Sequence, residues 1–98
     1  MSSTGFHEDP AQLSAATTDM HRAIVSLMEE LEAIDWYGQR VDAVGADDLK
    51  SILGHNRDEE KEHAAMLLEW IRRQDPVFDR YLRRFLFTDT PITDDHEH

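Results

Sequence analysis

Leu49–Trp70, LKSILGHNRDEEKEHAAMLLEW, is the stretch that decides the fold. Leu49, Leu53, Asn56, Glu60, His63, Leu67 and Trp70 recur at alternating steps of four and three. That spacing keeps side chains on one face of a packed helix. Within this seam, Glu60 and His63 form a Glu-x-x-His pair where a helix should be apolar. Burying a carboxylate and an imidazole there costs several kcal/mol unless something compensates. A metal ion is the obvious compensator.

Working outward, Val44-Gly45-Ala46-Asp47-Asp48 reads as a break between helices. Gly45 is the stop, and Asp47 or Asp48 is the cap of the second helix. Upstream, Asp9-Pro10 predicts a helix start, with Asp9 as N-cap and Pro10 at the first helical position. From there to about Val44 only Gly38 interrupts a helical pattern. Its seam is Met20, Ala23, Leu27, Glu30, Ile34, Tyr37 and Val41, widened by Ile24 and Leu31 into the stripe of a core-facing bundle helix. The second helix runs to about Gln74, and Asp75-Pro76 repeats the cap-plus-proline signal to open a short third helix. Its apolar residues Val77, Phe78, Tyr81, Leu82, Phe85 and Leu86 share a face, while Arg80, Arg83 and Arg84 point elsewhere.

The expected fold is therefore all-α, an antiparallel two-helix hairpin plus a short C-terminal helix, dimerising into a four-helix bundle. Residues 1–8 are expected to be a disordered N-terminus, 9–87 the helical domain, and 88–98 a polar tail. At 98 residues the chain is one small domain that buries a modest fraction of its surface alone, so self-association is a natural way to complete a core. The absence of cysteine removes disulfides, zinc fingers, iron–sulfur clusters and thiol catalysis. The formal charge of −11 argues against nucleic-acid binding, which leans on Lys and Arg to neutralise phosphate. No apolar run approaches the roughly 20 residues of a membrane span, and no secretory signal is visible. The expectation is a cytoplasmic protein.

Folding the hairpin at Gly45 makes a geometric prediction. Glu30 and Glu60 each lie 15 residues from Gly45. At ~1.5 Å rise per residue both sit roughly 22 Å from the turn, level with each other on the inward seam. His63 is one turn beyond Glu60 on the same face. Di-iron carboxylate bundles use one Glu from each of two helices and one Glu-x-x-His from each of the other two. This chain carries half that set, and a second copy supplies the missing half. Hard carboxylate oxygens with imidazole suit iron or manganese, and zinc would also bind. A lone Glu-x-x-His is common on Glu-rich helices and usually solvated, so the weight rests on the seam placement and on the level partner Glu30.

Other residues carry two readings each. Tyr37 is either a hydrogen-bonding support of a ligand or an ordinary core tyrosine. Trp36, off the seam, packs at a subunit contact or lines an access path. Glu29, Glu32 and Asp35 form either a solvated face or a cation-attracting vestibule. Asn56 supports a ligand or another polar partner by hydrogen bonding. Glu59 and Glu62 flank Lys61 and are expected in solvent. His21 and His55 lack a spaced acidic partner on the seam and read as structural or surface residues. His7, Glu8, His96 and His98 sit on terminal segments that rarely build a defined site.

The stretches His21–Ser26, Met28–Ala33 and Asp35-Trp36-Tyr37 closely resemble the encapsulated ferritins. So do His55–Met66, Tyr81-Leu82, Leu86-Phe87-Thr88 and Pro91-Ile92-Thr93. The resemblance covers roughly residues 20 to 93. It implies short hairpins that pair to rebuild a ferritin-like four-helix site, then assemble into a ring of dimers, a decamer, inside an encapsulin shell. Carried over, it implies that Glu30, Glu60 and His63 ligate a di-iron centre at the dimer interface, with Tyr37 close to it. Trp36 would lie beside the metal-approach region. Glu29 and Glu32 match acidic positions associated with secondary binding of divalent cations and iron uptake. The activity implied is ferroxidase, oxidation of ferrous iron by dioxygen, with the mineral stored by the shell. No small-and-apolar shell-docking segment follows Thr93, so encapsulation rests on the resemblance. Two other classes compete: a non-catalytic metal-binding or delivery dimer, and a purely structural dimerisation hairpin in which Glu60 and His63 only hydrogen-bond.

Overall fold

The computed structural model describes residues 5–93, which hold three α-helices and no strand. Asp9 accepts from the Ala11 N–H and Pro10 leads a helical turn, but that turn is a single 3-10 turn, Pro10–Gln12. The expected continuous helix from Pro10 is broken at Leu13 and Ser14, whose backbones are extended. Ser14 is the reason. Its hydroxyl accepts from the Thr17 N–H at 3.1 Å and restarts the chain as α1, Ala15–Ala43. A second cap therefore overrides the first.

The turn also differs from expectation. Val44 ends α1 in an extended conformation, and Gly45 does not adopt positive φ. A Cβ at Gly45 would meet nothing within 4 Å, so the freedom of glycine is not used there. Ala46, not Asp47 or Asp48, occupies the N-cap of α2, Asp47–Gln74, and gives it no side-chain cap. The two aspartates lie inside the first turn, where carboxylates favour the positive end of the helix dipole.

α1 and α2 pack against each other as the hairpin. Among the described residues only Ala23, Ala64 and Ile71 are buried. The accessible surface is 7620 Å², against roughly 5,800 Å² for a globular monomer of this mass. Ile24 and Leu31, expected to face the core, are exposed, as are Met28, Ile52, Met66 and Trp70. One hairpin has only one inner seam and α3 packs on α2, so the residues flanking the seam stay uncovered, and so do Leu49 and Trp70 at its two expected ends. No helix is long and apolar enough to cross a membrane among the described residues.

The third helix forms as the sequence predicts. Asp75 accepts from the Val77 and Phe78 N–H groups at 3.0 Å, and Pro76 opens α3, Pro76–Phe85. An ion network holds α3 on α2. The Arg72 guanidinium donates to both Glu69 oxygens, at 2.8 and 2.7 Å, and to Asp79 across the turn. Arg73 also donates to Glu69, and Arg83 to Asp79. After α3 the backbone of Phe87 takes a φ of 60°. That left-handed conformation costs a bulky residue about 1–2 kcal/mol. Met1–Thr4 of the expected N-terminal arm, and Asp94–His98 of the tail, lie outside the described residues. Phe6 of the arm packs on His21, ring centroids 4.3 Å apart.

The two Arg72 hydrogen bonds, with help from Arg73, pull the Glu69 carboxyl from its ordinary 4.5 to about 2, and Arg72 likewise lowers Asp79. Carboxyls depressed on folding stabilise the folded form above their ordinary range and lose that contribution as pH falls through the folded value. Amide protection over residues 77–86, corrected for the intrinsic exchange rate at each pH, should therefore drop between about pH 4.5 and pH 2, ahead of the hairpin. Arg72→Met should produce the same loosening of α3 at neutral pH while leaving α1 and α2 protected.

Candidate metal centre

Three ligand-type atoms converge at the middle of the hairpin. Oxygens of Glu30 and Glu60 and a ring nitrogen of His63 all lie within 4.8 Å of one another. Glu30 comes from α1, and Glu60 and His63 from successive turns of α2. His63 Nδ1 lies 2.8 Å from Glu60 Oε1 and 3.4 Å from Glu30 Oε2. The equal spacing from the turn thus does place the two carboxylates level, as the fixed rise of two α-helices requires.

The triad is open on one side. The Glu30 and Glu60 side chains are 24% exposed and that of His63 is 45% exposed. Partial burial raises the Glu30 pKa first, and its hydrogen bond and charge repulsion with Glu60 raise it further. His63 offsets part of this. The His63 pKa is itself raised, chiefly by its hydrogen bond to Glu60 and then by the charge of Glu30. Metal-free, Glu30 and His63 therefore hold their protons more tightly than free side chains do. A divalent cation in their place would relieve the carboxylate repulsion that the protons now soften.

The donor set fits such a cation. Two carboxylates and one imidazole suit iron, manganese or zinc. Three donors fill only half of a six-coordinate shell, and the exposed side of His63 leaves room for more. Among the described residues no other group of three acidic or histidine side chains comes together in this way.

The remaining sequence candidates do not join the triad. Glu29 and Glu32 are exposed on α1, and Trp36 is 49% exposed. Glu29 is near enough for its charge to push the Glu30 pKa up. Tyr37 is half-buried, with the Arg40 guanidinium 5.4 Å from its ring centre and no hydrogen bond to the cluster. Asn56 is half-buried and makes no hydrogen bond to the triad. His55 does have an acidic partner that lies off the seam: Glu59 Oε2, one turn on, is 3.5 Å from its Nε2. Both are exposed, and the only signal in the sequence is the i, i+4 spacing. His96 and His98 lie outside the described residues.

Groups whose pKa is raised on folding stabilise the fold below their ordinary values, and lose that contribution as pH rises through the folded value. Glu30 and His63 both act in this sense, from ordinary values of 4.5 and 6.5. In chelator, the melting temperature should fall as pH rises from about 5 to 8. Added divalent metal should reverse the fall, by about 2.7 kcal/mol at a hundredfold excess over its dissociation constant. Glu30→Gln should flatten the pH dependence without metal and abolish the gain with it.

With this geometry in place, the chain can be set beside known proteins. It is 60% identical over 92 residues to the "Encapsulated ferritin-like protein" of Rhodospirillum rubrum, covering 94% of this chain and 66% of that relative. It is 52% identical over 92 residues to the "Ferritin-like protein" of Thermotoga maritima, covering 94% and 81%. A crystal structure of a Nitrosomonas europaea protein superposes with a TM-score of 0.89 at 63% identity, covering 92% of this chain and 99% of that one. The EncFtn-like family model matches residues 5–89. Those residues take in all three helices and the whole triad: the chain belongs to the EncFtn-like family.

Proposed function

We propose that two copies of this chain join their triads into one di-iron site, which oxidises ferrous iron with dioxygen. The observation that carries this reading is the half-set itself. Glu30, Glu60 and His63 meet within 4.8 Å, open to one side, on a hairpin whose flanking apolar residues are uncovered. Pairing would bring four carboxylates and two imidazoles together, the ligand complement of di-iron carboxylate bundles.

Ferrous iron is the substrate, and each ion gives up one electron to dioxygen as it becomes ferric. Carboxylate oxygens favour the ferric state because a hard anion stabilises the higher charge. The chain's own work is to bind two ions side by side, so that two electrons are on hand for one oxygen molecule. His63 holds the Glu60 carboxylate in place while its own exposed edge faces the second chain. Glu29 and Glu32 gather divalent cations at the surface and Trp36 borders their path. Tyr37 supports the site from two turns toward the hairpin end.

The unit acting in this way is the helical domain of 9–87, with 1–8 and 88–98 outside it. Relatives named as encapsulated and as encapsulin nanocompartment cargo support a setting inside an encapsulin shell. On this reading the shell lies in the cytoplasm, and an annular decamer of paired chains delivers iron for storage within it. The greater length of the Rhodospirillum rubrum relative is a reason to look for the shell contact outside the matched segment.

Aerobic oxidation of ferrous iron, followed by absorbance, tests the reading. Wild type should outpace buffer, and Glu30→Ala, Glu60→Ala and His63→Ala should each lower the rate by more than about tenfold, since even groups that merely support metal ligands cost 10–100-fold. Tight metal binding with no rate above buffer would assign the protein to metal delivery instead. Unchanged rates in all three variants would remove the triad from the chemistry.

A further inference from the structure

Arg80, Arg83 and Arg84 are three of the chain's ten Lys and Arg, and no acidic residue occurs between 80 and 88. The body of the chain, at −11 overall, repels anions. Three guanidiniums on the short helix α3 are therefore a local reversal of sign.

Most arginines of the two long helices are compensated. Arg22, Arg57, Arg72 and Arg73 each pair with a carboxylate. On α3, Arg83 gives its Nε to Asp79, which already answers Arg72, and its side chain is 69% exposed. Arg80 has no carboxylate partner among the described residues. Its guanidinium instead lies 4.9 Å from the centre of the Tyr81 ring, and that of Arg84 lies 5.0 Å from the centre of the Phe85 ring. Such a contact uses the face of the guanidinium and none of the N–H donors along its edge.

Helix-end electrostatics accounts for part of this arrangement. Arg83 and Arg84 lie in the last turn of α3, where cations complement the negative end of the helix dipole. Arg80 is mid-helix and does not share that benefit. Three and four residues from Arg83 and Arg84, it meets like charges across one turn, which destabilises a helix. With Tyr81, the three arginines line an open concavity of about 570 Å³, within the size range of small-molecule sites.

We propose that this concavity binds a small multivalent oxyanion, a compound carrying two or more phosphate or carboxylate groups. The fork of one guanidinium pairs two oxygens of one such group. Arg80 and Arg84 are about one turn apart, ~6 Å of rise, so two groups of one molecule match them better than a single group does. Arg83 adds charge at the rim. The anion offsets the repulsion among the three cations, which no residue of α3 beyond Asp79 does. Binding here does not rest on the iron reading. Hard oxygens of such anions are also ligands of ferric iron. On the proposed function the site thus gathers a counter-ion for the ferric product, on a chain that otherwise repels it.

Isothermal titration calorimetry of the full chain, stripped of metal on a chelating resin, tests this with inorganic diphosphate and with citrate. At low salt at least one probe should bind saturably, one per chain, and about tenfold or more tighter than sulfate. The tighter probe assigns the ligand to the phosphates or to the carboxylates. Arg80→Gln and Arg84→Gln should each weaken that binding by about tenfold. Arg40→Gln removes another guanidinium stacked on a ring and should leave it unchanged. Glu30→Gln should also leave it unchanged, which separates this site from the triad. Arg80→Gln relieves the like-charge contacts, so its melting temperature without anion should hold or rise. The bound probe should raise the melting temperature of wild type and not that of this variant. No saturable binding of either probe would overturn the proposal. So would wild-type affinity in both Arg80→Gln and Arg84→Gln, or an equal loss in Arg40→Gln. Adhesion to anionic vesicles or to a purified shell protein through Arg80, with neither probe bound, would assign the patch to a macromolecule and also overturn it.

Discussion

Glu30 and Glu60 stand level on facing helices, and their mutual repulsion is the constraint around which the hairpin is arranged. Burial and Glu60 together push the Glu30 carboxyl above its ordinary range, and His63 is drawn in as the counter-charge. Keeping such a cluster mid-seam sacrifices apolar packing where a two-helix protein most needs it. The turn at 44–46 makes the arrangement work. Deleting one residue from α2 before Glu60 would shift it by ~1.5 Å and rotate it by about 100°, carrying both of its ligands off the seam. Equal arm lengths are therefore a requirement of the site as well as a feature of the fold.

The scarcity of buried residues has the same origin. Ala23, Ala64 and Ile71 are small or singular, and they cannot hold two helices of this length together with a charged cluster between them. Ile24, Leu31, Ile52 and Met66 beside the seam, and Trp70 at its end, remain exposed, in amounts that a lone hairpin would rarely carry. An incomplete core and an incomplete ligand set thus occur on the same helices. On the paired-site account both are completed in one event, so that association, folding stability and metal affinity are linked.

Much of this arrangement is legible in the sequence. Seam spacing and helix rise are local and fixed, so the level placement of Glu30, Glu60 and His63 comes from counting to Gly45. Asp75-Pro76 caps α3 as expected, because an Asp side chain next to a first-turn proline has few other options. Competition between signals is less legible. Ser14 restarts a helix that Asp9-Pro10 had already opened, and Ala46 takes a cap position that two aspartates were better suited to fill. Arg72–Glu69, Arg73–Glu69 and Arg83–Asp79 follow helical spacing, but the Arg72–Asp79 bond that joins α2 to α3 spans a turn and so lies outside the i, i+4 rules that sequence spacing exposes. Phe87 stands where glycine is the expected residue, and nothing in a Leu-Phe-Thr run announces a left-handed backbone. The site roles proposed for Glu29, Glu32, Trp36 and Tyr37 rest on family resemblance, since their spacing alone fits a solvated or packed face equally well.

The central claim is that the metal site is a property of two chains together. Native mass spectrometry during an anaerobic titration with ferrous iron tests it most directly, because it counts metals and chains in the same particle. The account predicts iron appearing on even-numbered assemblies at two ions per two chains, with single chains staying metal-free. One iron held by a single chain, at the concentrations that fill the assembled protein, would contradict it.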